Sequence, residues 1–106
     1  MIERSEVLEM VLSAIKDVLK EEKKRMPKEL GTSTHIFGKK AILDSLGLVS
    51  LIVDIEQRLE QEYDIILTLV DDRAMSQKNS PFRTVQSLTD YICLLIEGKK
   101  QDIDRT

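Results

Sequence analysis

Few residues of this 106-residue sequence carry side chains that could perform chemistry. There is one histidine, His35, one cysteine, Cys93, and a serine, Ser45, that stands between Asp44 and Leu46. A serine hydrolase needs a histidine base and a tight Gly-x-Ser-x-Gly turn after a strand, and neither the turn nor the strand precedes Ser45. A single cysteine and a single histidine supply no disulfide and no structural zinc site. We therefore expect no catalytic residues and no metal, with His35 in a loop and Cys93 half-buried on a helix.

Ser45 is predicted to lie at the first turn of a helix. The N–H groups of a first turn have no partner within the helix, and the helix dipole places partial positive charge there. A phosphodiester attached to Ser45 would therefore occupy a favourable anion site. The alternative is that Asp44-Ser45 simply caps the helix, which is the more common role of such a pair. These residues by themselves leave both interpretations open.

A first amphipathic helix is predicted from apolar residues that recur at three- and four-residue steps after Ser5, its expected N-cap. We expect this helix to end near Glu22, because Pro27 and Gly31 follow. Residues 23–43 then have no helical or strand periodicity and are predicted to form a long loop.

The end of the sequence predicts one further long helix, with Thr84 as its N-cap and Gly98 as its C-terminal stop. Residues 65–70 are apolar enough for a strand, but no second strand is available to pair with them, so we expect a buried connector. A short helix is expected at residues 71–75, followed by a polar turn at residues 79–81.

A second helix is predicted from Asp44-Ser45 to about Glu62, and it has more apolar surface than one buried stripe requires. At 100° per residue its polar face contains Gly47, Ser50, Asp54, Gln57, Arg58 and Gln61. The expected core stripe contains Leu48, Leu51, Ile52, Ile55 and Leu59. Outside both lies an apolar flank made of Leu46, Val49 and Val53. On geometry alone this flank is either additional core or a partner surface, and we predict a partner surface.

Composition indicates one small domain. Apolar residues make up 42% of the chain and aromatic residues 4%, which suits helices packed through Leu, Ile and Val. The net charge of −3 argues against a nucleic-acid-binding protein. The basic residues of segment 20–28 are interrupted by Glu21 and Glu22 and are expected to be solvated. No stretch has the length of a membrane span and no signal-peptide pattern opens the chain, so we expect a cytoplasmic protein without stable membrane insertion. We also expect a monomer.

Four ordered segments resemble acyl carrier proteins. Phe37-Gly38, then residues 41–46 with the sequence Ala-Ile-Leu-Asp-Ser-Leu, then Val49 through Glu62, resemble the phosphopantetheine attachment region of that family. Residues 82–92, which contain Thr84-Val85 and end at Tyr-Ile, resemble the family's last helix. With the first helix at the appropriate distance upstream, the resemblance extends from about Val7 to Ile96.

The resemblance implies an all-α bundle of three main helices plus one short helix, with residues 1–98 as the carrier domain and 99–106 as a polar tail. It implies that a phosphopantetheinyl transferase attaches 4′-phosphopantetheine to Ser45, and that acyl groups are carried as thioesters on this arm. Asp44 and Leu46 would help partners recognise the site. Acyl-loading and acyl-transferring enzymes of fatty-acid, lipid or polyketide-type biosynthesis would dock on the second helix, on a surface composed of Leu46, Val49, Val53 and Glu56.

The second helix departs from the family pattern in its charge. Acyl carrier proteins usually have an acid directly after Asp-Ser-Leu and more acids along the exposed side, whereas this chain has Gly47, Ser50, Gln57 and a basic Arg58. We therefore expect weaker electrostatic docking and a specialised carrier. An aminoacyl or peptidyl carrier, and a helical interaction module that is never modified, remain alternatives.

Overall fold

The structure, a computed structural model, describes residues 2–25, 27, 29–36, 41–69 and 81–104, with side chains up to residue 98. Three helices follow one another along the chain: α1, Arg4–Glu21; α2, Ser45–Tyr63; and α3, Val85–Asp104. The described residues contain no β-strand, only an isolated antiparallel bridge between His35 and Thr84. The predicted all-α class is confirmed, whereas the predicted short helix at 71–75 lies outside the described residues.

α1 is the central helix, and it packs against both α2 and α3. Within the described residues, α2 and α3 approach each other less closely than either approaches α1. The core is built almost wholly from Leu, Ile and Val, as the low aromatic content predicts, and Phe82 is the largest side chain that is fully buried in it. The ring of Phe82 meets that of Tyr91 edge to face, with ring centroids 6.1 Å apart.

The start of α1 differs from the prediction. Its N-cap is Glu3 rather than Ser5, which is the second residue of the helix. The N–H of Glu3 donates to the carboxylate of Glu6 at 3.4 Å, so a glutamate three residues ahead occupies the first turn in the manner of a capping box. The helix ends at Glu21 with Glu22 as its C-cap, which confirms the predicted end.

α3 begins as predicted but ends later. The Oγ1 of Thr84 accepts a hydrogen bond from the N–H of Ser87 at 3.1 Å, which is an N-cap contact. The prediction that Gly98 stops the helix is wrong, because α3 continues to Asp104. A glycine inside a helix costs only about 1 kcal/mol relative to alanine, and the lysines and glutamine that follow favour helix. The expected boundary at residue 98 therefore does not coincide with a helix end.

The first loop is fixed to the start of α3 by backbone hydrogen bonds. The N–H of Ile36 donates to the carbonyl of Arg83 at 2.7 Å, and the N–H of Val85 donates to the carbonyl of Thr34 at 3.0 Å. These bonds surround the His35–Thr84 bridge. Residues 34–36 of this loop are thus part of the framework that positions α3.

The connector after α2 was predicted to be buried, and the described residues 65–69 bear this out only in part. Leu69 is fully buried, Ile65 and Leu67 are half-buried, and Ile66 and Thr68 are exposed. None of the described helices is both long enough and apolar enough to cross a lipid bilayer.

Candidate functional site

Ser45 is the first residue of α2, and its side chain is exposed. Asp44 is the N-cap, with extended backbone, and its Oδ1 accepts a hydrogen bond from the N–H of Gly47 at 2.7 Å. The carbonyl of Asp44 accepts from the N–H of Leu48 at 2.9 Å. The N–H groups of Ser45 and Leu46 therefore have no partner within the helix. The predicted helix start is confirmed, and Asp44 makes the capping contact that the alternative interpretation of Asp44-Ser45 requires.

A lysine just beyond the end of α1 pairs with the residue that caps α2. Lys23 adopts a left-handed conformation (φ 57°) that turns the chain after α1, and the Nζ of Lys24 lies 3.1 Å from Asp44 Oδ2. The hydrogen bond to Asp44 raises the pKa of Lys24, and the N–H of Gly47 followed by Lys24 lowers the pKa of Asp44. Lys24 also pairs with Oε2 of Glu22 at 3.5 Å, so the positive end of the helix dipole, rather than a free cation, lies next to Ser45.

Gly47 was predicted on the polar face of α2, and the structure contradicts this. Gly47 is buried, because the end of α1 approaches α2 at this position. A Cβ added at residue 47 would lie 2.7 Å from Oε1 of Glu22 and 3.2 Å from a methyl group of Leu43. The absence of a side chain at residue 47 allows α1, with Lys24 just beyond its end, to approach the start of α2.

The apolar flank is exposed. Leu46, Val49 and Val53 are 72%, 54% and 45% exposed, respectively. The five residues predicted as the core stripe are each 2% exposed or less: Leu48, Leu51, Ile52, Ile55 and Leu59. The flank is therefore not a second buried stripe, and it lies in the first half of α2, which begins at Ser45.

A groove of about 500 Å³ separates this part of α2 from the second half of α1. Val49 and Val53 line it from α2, and Asp17, Lys20 and Glu21 line it from α1. The apolar flank thus continues into a depression with mixed charges along its α1 side.

Arg58, predicted as an exposed positive charge on α2, is instead part of an ion cluster. Its guanidinium pairs with Asp17 of α1, lies 3.2 Å from Asp54 of α2 and donates to the hydroxyl of Ser13 at 3.2 Å. Burial lowers the pKa of Arg58, but its pairing with Asp54 and Asp17 outweighs this, so the net direction is upward. Because the charge of Arg58 is compensated within the fold, it does not oppose a cationic partner as a free arginine would.

Glu56, predicted as a partner-binding acid, has a contact within the fold. Its Oε2 accepts a hydrogen bond from the N–H of Leu69 at 2.8 Å, and its side chain is only partly exposed. This carboxylate holds the connector against α2, so the remaining exposed part of the predicted partner surface is apolar.

His35 and Cys93 lie where the sequence predicted them. His35 is exposed in the first loop, and among the described residues no hydrogen bond joins its imidazole to Ser45. Cys93 is half-buried on α3, and burial raises the pKa of its thiol. A thiol with a raised pKa is less reactive at neutral pH.

Lys24 is the residue at this site that the sequence did not predict. Its membership of an interrupted basic cluster indicated a solvated helix end, and only the turn at Lys23 brings its ammonium to Asp44. No family model, curated protein or solved structure matches this chain. The interpretation of the site therefore depends on its geometry and on the residues themselves.

Proposed function

We propose that this chain is an acyl carrier protein whose Ser45 bears 4′-phosphopantetheine. The observation that carries the proposal is the position of Ser45: exposed, first in α2, preceded by the capping Asp44 and followed by the exposed Leu46. An attached arm would extend from the protein without displacing any core side chain. The finer fold that goes with this proposal is a carrier bundle of three main helices and one short helix.

The surroundings of Ser45 suit a phosphodiester. Its negative charge would face the N–H groups of the first turn of α2, where an anion is stabilised by about 0.3–1 kcal/mol at exposed positions. Lys24, 3.1 Å from the Asp44 carboxylate, offsets the charge of Asp44 beside the attachment point. A separate phosphopantetheinyl transferase would catalyse the attachment. The Ser45 Oγ would form a bond to the phosphorus on the pantetheine side of the coenzyme A diphosphate, the diphosphate bond would break, and the nucleotide part would leave as the hydroxyl loses its proton.

The flank of Leu46, Val49 and Val53 is the proposed docking surface for acyl-loading and acyl-transferring enzymes of fatty-acid, lipid or polyketide-type biosynthesis. Three exposed side chains on one end of a helix form a patch much smaller than the roughly 800 Å² per partner of a stable interface. Docking on this patch would therefore be transient, which suits a monomeric cytoplasmic carrier that must leave each enzyme in turn.

The experiment is to incubate the protein with coenzyme A and a transferase of broad specificity and to measure its intact mass. We expect the mass of one arm on the wild type and none on Ser45→Ala. Ser5→Ala is the matched control, because Ser5 is also an exposed serine in the first turn of a helix, and this variant should gain one arm.

The competing function, a helical interaction module that is never modified, predicts a different result. A wild type that is folded by circular dichroism and gains no mass with several transferases would favour that module. An arm on the Ser45→Ala variant would show that the attachment site has been placed on the wrong residue.

A further inference from the structure

Residue Leu69 lies between α2 and α3 and contacts both through its backbone. Its N–H donates to Oε2 of Glu56 on α2 at 2.8 Å, and its carbonyl accepts from the hydroxyl of Tyr91 on α3 at 3.2 Å. Its side chain is fully buried. Through these two hydrogen bonds, the connector at residues 65–69 links α2 to α3.

The start of this connector is anchored by the end of α2. Asp64 adopts a left-handed conformation (φ 55°), and its N–H donates to the carbonyl of Glu60. The N–H of Ile65 donates to the carbonyl of Leu59. The bond from Asp64 to Glu60, with Asp64 in the left-handed region, is that of an αL cap. These backbone bonds belong to α2 and remain when residues beyond Ile65 move.

The far end of the connector is held differently, by side chains. Side-chain hydrogen bonds contribute about 0.5–1.5 kcal/mol each, and each can break without disturbing a helix. α1, in contrast, packs along both α2 and α3. Opening this end would withdraw the buried side chain of Leu69 from the core but leave the packing of α1 in place, so it would expose less surface than global unfolding.

We propose that residues 65–69 form a strap, latched by Glu56 and Tyr91, that opens locally while α1 stays packed against α2 and α3. Opening the strap withdraws the side chain of Leu69 from the core. This inference concerns the unmodified fold and does not depend on a phosphopantetheine arm at Ser45.

Native-state hydrogen exchange in increasing denaturant tests the strap in the wild-type protein. The reporter is the Leu69 amide, and the reference is the amide of Ile15, which is fully buried in the middle of α1. We expect Leu69 to exchange faster than Ile15, with a weaker dependence on denaturant, because a local opening exposes less surface than global unfolding. Equal rates with equal denaturant dependence would overturn the proposal, since the strap would then open only with the whole fold.

Two tyrosine variants identify the latch. Tyr91→Phe removes the hydroxyl that holds Leu69, and it should speed exchange of both Leu69 and Ile15 by a similar factor of about 2 to 10. Tyr63→Phe is the matched control, because its hydroxyl donates to Glu6 of α1 at 3.1 Å. That contact persists when the strap opens, so this variant should speed exchange of Ile15 and leave Leu69 unchanged. An unchanged Leu69 rate in Tyr91→Phe, or equal acceleration of both amides in Tyr63→Phe, would contradict the latch.

Discussion

The substitution Val53→Glu tests whether Val53 lies on a partner surface or in the core. The preceding residue, Ile52, serves as the buried comparison. Val53 is 45% exposed, whereas Ile52 is 2% exposed. Both are β-branched residues in the middle of α2, so backbone effects on the two changes are similar. The variants Val53→Glu and Ile52→Ala therefore compare the stability cost at an exposed and at a buried position of the same helix turn.

The expected free energies of unfolding follow from these exposures. Full burial of an aliphatic side chain is worth about 1.5–3 kcal/mol, and roughly half of Val53 is covered, so its burial contributes at most about 1.5 kcal/mol. The methylene groups of glutamate recover part of this contact. We expect Val53→Glu to lower the free energy of unfolding by less than about 1 kcal/mol. Ile52→Ala removes buried methyl groups and should cost about 2–5 kcal/mol.

Urea unfolding followed by circular dichroism measures both changes, and an unchanged slope allows the midpoints to be compared directly. A Val53→Glu variant that loses as much stability as Ile52→Ala would refute the assignment of Val53 to the surface. If the flank docks partners, acyl loading of Val53→Glu by a cognate enzyme should fall at least about tenfold, with weak salt dependence because docking there is apolar. Unchanged loading or steep salt dependence would place docking elsewhere.

Three further changes test the start of α2. Gly47→Val forces a branched side chain against Glu22 and should cost about 1–3 kcal/mol in urea unfolding, and an unaffected midpoint would contradict the close approach of α1. The N–H of Gly47, and then Lys24, hold the pKa of Asp44 below its ordinary 3.8. Ionised Asp44 therefore stabilises the fold above pH 3.8, and this contribution is lost as the pH falls through the lowered pKa. Asp44→Asn should therefore flatten the acid side of the stability–pH curve, and a curve as steep as that of the wild type would exclude Asp44 as its source. Attachment of an arm to the exposed Ser45 should shift the melting temperature by only a few degrees, because surface changes are usually worth less than about 0.5 kcal/mol, and an unfolded unmodified form would show that the arm completes the core.

The periodicity of α2 predicted most of what matters at the site. Apolar spacing placed Leu48 and its partners in the core and left the flank outside it, and both outcomes follow from the geometry of a single helix. The same geometry misplaced Gly47, because its burial depends on where the end of α1 lies. A helical wheel treats each helix alone and cannot include that contact.

The charged residues were harder to predict for the same reason. Arg58 and Glu56 stand at positions that a helical wheel assigns to solvent or to partners, yet one pairs with Asp17 and the other accepts from Leu69. Both partners lie more than ten residues away in the chain. The sequence predicts which side chains carry charge, but the fold decides which of those charges are compensated.

The pairing of the first loop with the start of α3 has a consequence for the order of folding. The bonds around the His35–Thr84 bridge join residues about 50 positions apart, and closing a chain segment of that length costs on the order of 3 kcal/mol of entropy. The hydrogen bonds within each helix join residues close in sequence and can form early. The bonds around the bridge can form only after the two ends of the segment have met. Because this entropy grows only with the logarithm of length, residues added to the chain between α2 and α3 would lengthen the segment and raise this cost only slightly.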